Sequence, residues 1–210
     1  MLAKIYPEYF ASYKVYETVK NVLLKNLREV DVEKVFNEMG IADAKPENLV
    51  KKLATVLQKH AQSMKCSVIL TEIKEKLSGL IDVSVQPSSV IMTKNESQVL
   101  KVMIHNKTDT TLKFRVGVEQ LDRKVTALLF DPVKSFCYTK VIKSHVIEPD
   151  KIYAFKFIIK PDVFGIQDLY ELKKNGRLNM TLGFQAEADG IEGLRSTPKK
   201  IDVGIVKVKL

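Results

Sequence analysis

Three lysines carry the most distinct chemical signal in the chain. In "PENLVKKLATVLQKH", Lys51, Lys52 and Lys59 fall with Asn48, Thr55 and Gln58 on the helix side opposite a Leu49, Leu53, Val56 and Leu57 stripe. Ammonium, carboxamide and hydroxyl groups sharing one helix face are the groups that touch phosphates and base edges. With a shorter helix expected over 31–39, capped by Asp31 and stopped at Gly40, the outline is that of a helix-turn-helix. Two features oppose that outline. The connection "GIADAK" is longer than the usual three- or four-residue turn, and Glu33, Glu38, Asp43 and Glu47 lie close by, where their carboxylates repel a duplex.

Other residue types that do chemistry are scattered. His60, His105 and His145 are far apart and fall in a helix, a strand end and a strand, without the short fixed spacing that zinc ligands need. Cys66 and Cys137 stand 71 residues apart, as neither a CxxC pair nor a disulfide framework, and read as small, partly buried thiols. Lys134 and Lys140 flank Cys137, but no sequence-linked base accompanies it. No GxSxG, GxxxxGK or GxGxxG stretch occurs, and the chain has no Trp to line a carbohydrate cleft. No catalytic, metal or cofactor site is expected, and no small-molecule substrate is evident.

The elements that position these residues change character near residue 80. "EYFASYKVYETVKNVLLKNL" repeats Phe10, Tyr13, Tyr16, Val19, Leu23 and Leu27 at helical spacing behind Pro7. After Pro46 no Gly or Pro appears until Gly79, while Leu49 to Leu77 keep helical spacing, as one long helix or as two with a break near 63–67. From Ile81 the period falls to two. Leu112, Phe114, Val116 and Val118 alternate with polar residues, as do Tyr153 to Ile159 and Leu178 to Ala188. Further strands are expected at 99–105, 125–130, 141–146 and 201–209, with a bulge after Gly204, where the apolar phase slips between Ile205 and Val206. "QDLYELKKNG" reads as a short helix or turn. In "VQPSSVIMTKNESQVLKVMIHNKT", Pro87 limits ladder pairing and "TKNES" supplies a turn.

The expected fold class is therefore α+β in two domains: an N-terminal helical bundle over 1–80 and an antiparallel β-sandwich of immunoglobulin-like type over 81–210. The net charge is +9, from 34 Lys and Arg against 25 Asp and Glu. It is spread along the chain: 13 basic against 10 acidic residues give +3 over 1–80, leaving +6 over 81–210. Neither part is a basic arm. The first residues, interrupted by Lys4, Glu8 and Lys14, read as neither a signal peptide nor a membrane span, so a cytoplasmic location and no membrane contact are expected.

Well-patterned folds without reaction chemistry point to a non-enzymatic interaction or adaptor protein that binds a protein partner, or itself through the tyrosine-bearing helix or a free strand edge. The alternative is a nucleic-acid-binding or regulatory protein that uses Lys51, Lys52 and Lys59. The sequons at Asn95, Asn106 and Asn179 read as turn and strand chemistry.

Overall fold

Ser12 decides where the first helix begins. The computed structural model describes residues 6–61, 63–93, 95–120, 127–131, 136–138, 142–161 and 166–206. In it Ala11 is left-handed (φ 56°) and Ser12 is extended, its hydroxyl oxygen accepting the Val15 N–H at 3.3 Å. That cap separates a 3-10 turn, Glu8–Phe10, from α1 (Tyr13–Asn26), so the expected continuous helix from Pro7 onward is broken in two. Val15, Val19, Val22 and Leu23 form the buried stripe of α1, and Phe10 is buried from the separate turn.

α2 (Glu29–Ile41) departs from expectation at both ends. Asp31 lies inside the first turn and pairs with Arg28 at 2.8 Å, leaving the start without a side-chain cap. Gly40 lies within the helix, and the left-handed residue that turns the chain away is Asp43 (φ 49°). A 3-10 turn, Pro46–Asn48, then leads into α3 (Leu49–His60), and α4 (Ser63–Ser78) follows. The stretch behind Pro46 is thus two helices, broken just ahead of the expected place. The four helices close their stripes on one another, and ion pairs tie them: Lys25 on α1 to Glu72 on α4 at 2.7 Å, and Lys59 on α3 to Glu38 on α2 at 3.0 Å.

Beyond Leu80 the described residues form a sandwich of two five-stranded sheets. One has the order β1 (Ile81–Gln86), β3 (Gln98–Asn106), β8 (Ile152–Pro161), β5 (Ala127–Asp131), β6 (Phe136–Tyr138). The other has β2 (Ser89–Thr93), β10 (Lys199–Val206), β9 (Arg177–Ala188), β4 (Leu112–Gln120), β7 (Ile142–Ile147). α5 (Ile166–Asn175) precedes β9, with Gly176 at φ 70° as its exit. The expected strand starts at 125 and 141 and the expected strand end at 207–209 fall outside the described residues, as do Lys134 and Lys140.

The second sheet is mixed and not purely antiparallel, because β2 runs parallel to β10, whereas the described pairings of the first are antiparallel. β1 and β2 flank Pro87, whose missing N–H cannot extend the β1 ladder, and the chain leaves one sheet there for the other. "TKNES" therefore joins strands of different sheets: Glu96 donates its N–H to the Thr93 carbonyl and accepts the Thr93 N–H on its carboxylate at 2.7 Å. The expected bulge at Gly204 is absent. β10 pairs with β9 residue for residue from Lys199 to Val206, and Ile201, Val203 and Ile205 all face inward. Gly204 is buried because the Arg177 guanidinium lies where its Cβ would be, 2.7 Å away, and Arg177 is held there by Asn179.

Helices and sandwich share one apolar cluster, and two loops of the sandwich hold the helices. In the β3–β4 loop, Asp109 accepts the Ser12 hydroxyl at 2.6 Å and the Lys14 N–H at 3.3 Å, at the start of α1. In the β9–β10 loop, Glu192 accepts the Lys51 N–H at 2.9 Å, at the start of α3, and its own N–H bonds the Pro46 carbonyl. Carboxylates at helix N-termini satisfy orphan donors and complement the helix dipole. Ile191 and Leu194 of the same loop are buried.

A basic cleft between α2 and α3

The three lysines read from sequence line one cleft of about 360 Å³ between α2 and α3. α3 delivers them because its stripe, Leu49, Leu53, Val56 and Leu57, is buried and leaves the opposite side to solvent. Asn48 and Thr55 line the cleft too. The Asn48 side-chain oxygen accepts the Lys45 N–H and the Thr55 hydroxyl donates to the Lys51 carbonyl, so both are locally bonded. Gln58 is exposed on α3 and is not part of the lining.

The lysines differ in their ties. Lys52 donates to the Ala42 carbonyl at 2.9 Å, capping the C-terminus of α2, where a cation meets the negative end of the helix dipole. Lys59 reaches Glu38 Oε2 at 3.0 Å, while His60 Nε2 lies 2.6 Å from the other carboxylate oxygen. These partners, Lys59 first and then His60, hold the Glu38 carboxyl below the usual carboxylate range. The Lys51 ammonium has no ion pair among the described residues.

Two contributors were not read as part of the site. Glu38, expected as a nearby repelling acid, sits inside the cleft, bonded to Lys59 and His60. Ile41, read as the residue after a glycine stop, is the last residue of α2, 85% exposed on the rim. Its exposure follows from the helix continuing through Gly40, which no local pattern announces. The cleft thus combines an aliphatic rim, a floor that includes Val56, and three ammonium groups against one carboxylate.

The remaining chemistry-bearing residues stay dispersed. His60 is tied to Glu38, His105 bonds Asp150 at 2.8 Å, and His145 stacks on Tyr153 at 3.6 Å. Among the described residues no group of three or more His, Cys, Asp or Glu could hold a metal ion, and no helix is long and apolar enough to cross a membrane. Cys66 is buried, and burial pushes its thiol pKa up. Tyr6, Tyr13 and Tyr16 pack with one another at ring separations of 6.0 to 6.5 Å.

No family model matches the chain, and no curated protein matches it in sequence. Among solved structures it is similar to a type I cohesin–dockerin complex from Clostridium thermocellum, at 12% identity and a TM-score of 0.39 over 61% of this chain and 95% of that one. It is also similar to the CARDB domain of a Pyrococcus furiosus protein in complex with di-metal ions, at 11% identity and a TM-score of 0.36 over 60% and 93% of the two chains. A third likeness is to domains 4 and 5 of an S-layer protein, at 12% identity and a TM-score of 0.31 over 60% and 51%.

Proposed function

We propose that the protein is a non-enzymatic interaction or adaptor protein, with residues 1–80 carrying a docking cleft and residues 81–210 forming a sandwich of immunoglobulin-like type. The strand order supports that topology: β1, β3, β8 and β5 stand as the A, B, E and D strands of such a sandwich, and β4, β9 and β10 as C, F and G. The observation that carries the functional reading is the meeting of Ile41, 85% exposed, with Lys51, Lys52 and Lys59 around one concavity. An aliphatic rim beside ammonium groups suits a peptide segment that pairs an aliphatic side chain with carboxylates. A phosphodiester backbone gains nothing from Ile41, and Glu38 within the cleft opposes it.

Full-length protein titrated with a short Glu- and Ile-bearing peptide, followed by amide NMR, tests this. Shifts are expected at Lys51, Lys52 and Thr55, and Lys51→Glu and Ile41→Asp should each weaken binding about tenfold, or about 1.4 kcal/mol. A DNA duplex is the comparison ligand. If it binds more tightly than the peptide, with affinity falling steeply in salt, the nucleic-acid alternative replaces this reading.

A further inference from the structure

The register of the first sheet places Lys101 of β3 directly opposite Lys156 of β8. Leu100 and Val102 and their cross-strand neighbours Phe157 and Phe155 face the interior, as do Ile104 and Ile159, so strand alternation puts both lysines on the outer face, where both are exposed. Like charges directly opposite on a sheet destabilise it, and neither ammonium has an ion pair among the described residues. Asp82 on this face is already bonded to Lys107, and Asp150 beside it to His105. Apolar pairs lie two residues to either side: Val99 opposite Ile158, with Val99 51% exposed, and Met103 opposite Ala154.

We infer that this face is a second docking surface, and that its occupant is an acidic amphipathic helix of a different protein, presenting two carboxylates one turn apart between aliphatic side chains. Spacing selects the helix. Directly opposed strand residues have Cβ atoms about 4.5 to 5.5 Å apart, and residues four apart on a helix have theirs about 5 to 6 Å apart. Alternate residues of a strand are about 6.7 Å apart, a poorer match. A second copy docking face to face would bring four ammonium groups together, which excludes self-association here. The aliphatic rows offer nothing to phosphates. The surface rests on reading the molecule as an interaction protein but is independent of the α2/α3 cleft.

The test uses the full chain and a synthetic helical peptide with Glu at i and i+4 flanked by Leu, beside the same peptide with Gln at both positions. The Glu peptide should bind at least tenfold more tightly than the Gln peptide. Read from amide NMR shifts on β3 and β8, that difference should vanish with Lys101→Glu and Lys156→Glu together and survive Lys101→Arg with Lys156→Arg. Equal binding of the two peptides overturns the inference. So do shifts confined to α2 and α3, which assign the binding to the cleft, or displacement of the Glu peptide by inorganic polyphosphate at equal charge, which assigns the face to polyanions.

Discussion

The Glu192 carboxylate accepts a hydrogen bond from the Lys51 N–H at 2.9 Å across 141 residues of sequence. A loop of the sandwich thereby caps the helix that carries the basic cleft, and Asp109 does the same for α1 through Ser12 and Lys14. The helices gain from these loops the capping that Leu49 and its neighbours lack locally, since no side chain caps α3 from within.

Removing this cap should be felt at both ends of the contact. Glu192→Ala is expected to cost about 1 kcal/mol in urea unfolding and to speed amide exchange at Lys51, while Glu192→Gln, which keeps an acceptor oxygen, should cost less. Unchanged exchange at Lys51 would show that the bond holds nothing.

Gly193, next in the same loop, should tolerate no side chain. Its φ is 83°, and an added Cβ would sit 2.6 Å from Val50 Cγ2. Gly193→Ala is expected to destabilise by about 2 to 4 kcal/mol, combining left-handed strain with overpacking against a stiff β-branched neighbour. In the double variant with Val50→Ala the two costs should fall short of additivity, because the clash is gone and only the strain remains. Gly204→Ala is the contrast: the intruding group there is the end of the flexible Arg177 side chain, which can swing away, so less than about 1 kcal/mol is expected.

Asn106 should be the most sensitive polar residue. It is fully buried, donates to the Thr110 and Ile147 carbonyls at 2.9 Å each, and accepts from Thr108 N–H and Oγ1 at 3.0 and 2.6 Å. Asn106→Ala strands these partners, and about 3 kcal/mol is expected from several unpaired buried groups. Chemical denaturation reads it. A loss under 1 kcal/mol would mean that water replaces the carboxamide.

Acid should loosen the helices through Glu38 and Glu72. Lys59 and then His60 lower the Glu38 pKa, and Lys25 and then Asn26 lower that of Glu72, both from an ordinary value of 4.5. A depressed carboxylate pKa stabilises the fold above the unfolded value, and that contribution is lost as pH falls through the folded value. Helical circular dichroism should therefore hold down to about pH 4.5 and become easier to melt below it, and Glu38→Gln with Glu72→Gln should flatten the dependence.

How much of this was legible beforehand differs by element. Strand alternation over Leu112 to Val118 and Leu178 to Ala188, and the buried stripe Leu49 to Leu57, are local periodicities, and each stands in the structure as a strand or a helix. The lysine set was legible for the same reason: once a helix buries one stripe, its other face is fixed. Pairing was not. Which strand lies beside β2, that it runs parallel to β10, and that Arg177 covers Gly204 depend on segments far apart in the chain, and a two-residue period cannot choose among partners. Boundaries failed where one local signal outweighed another, as at Asp31, which bonds Arg28 three residues back instead of capping, and at Gly40, which α2 passes through to expose Ile41. Composition and periodicity alone set the kind of the longer elements and the face each buries, because burial of apolar side chains is a local demand. Tertiary structure decided which acids cap which helices, that Glu38 stands inside the cleft, and that Lys101 faces Lys156, because hydrogen-bond and charge partners are selected by distance in space.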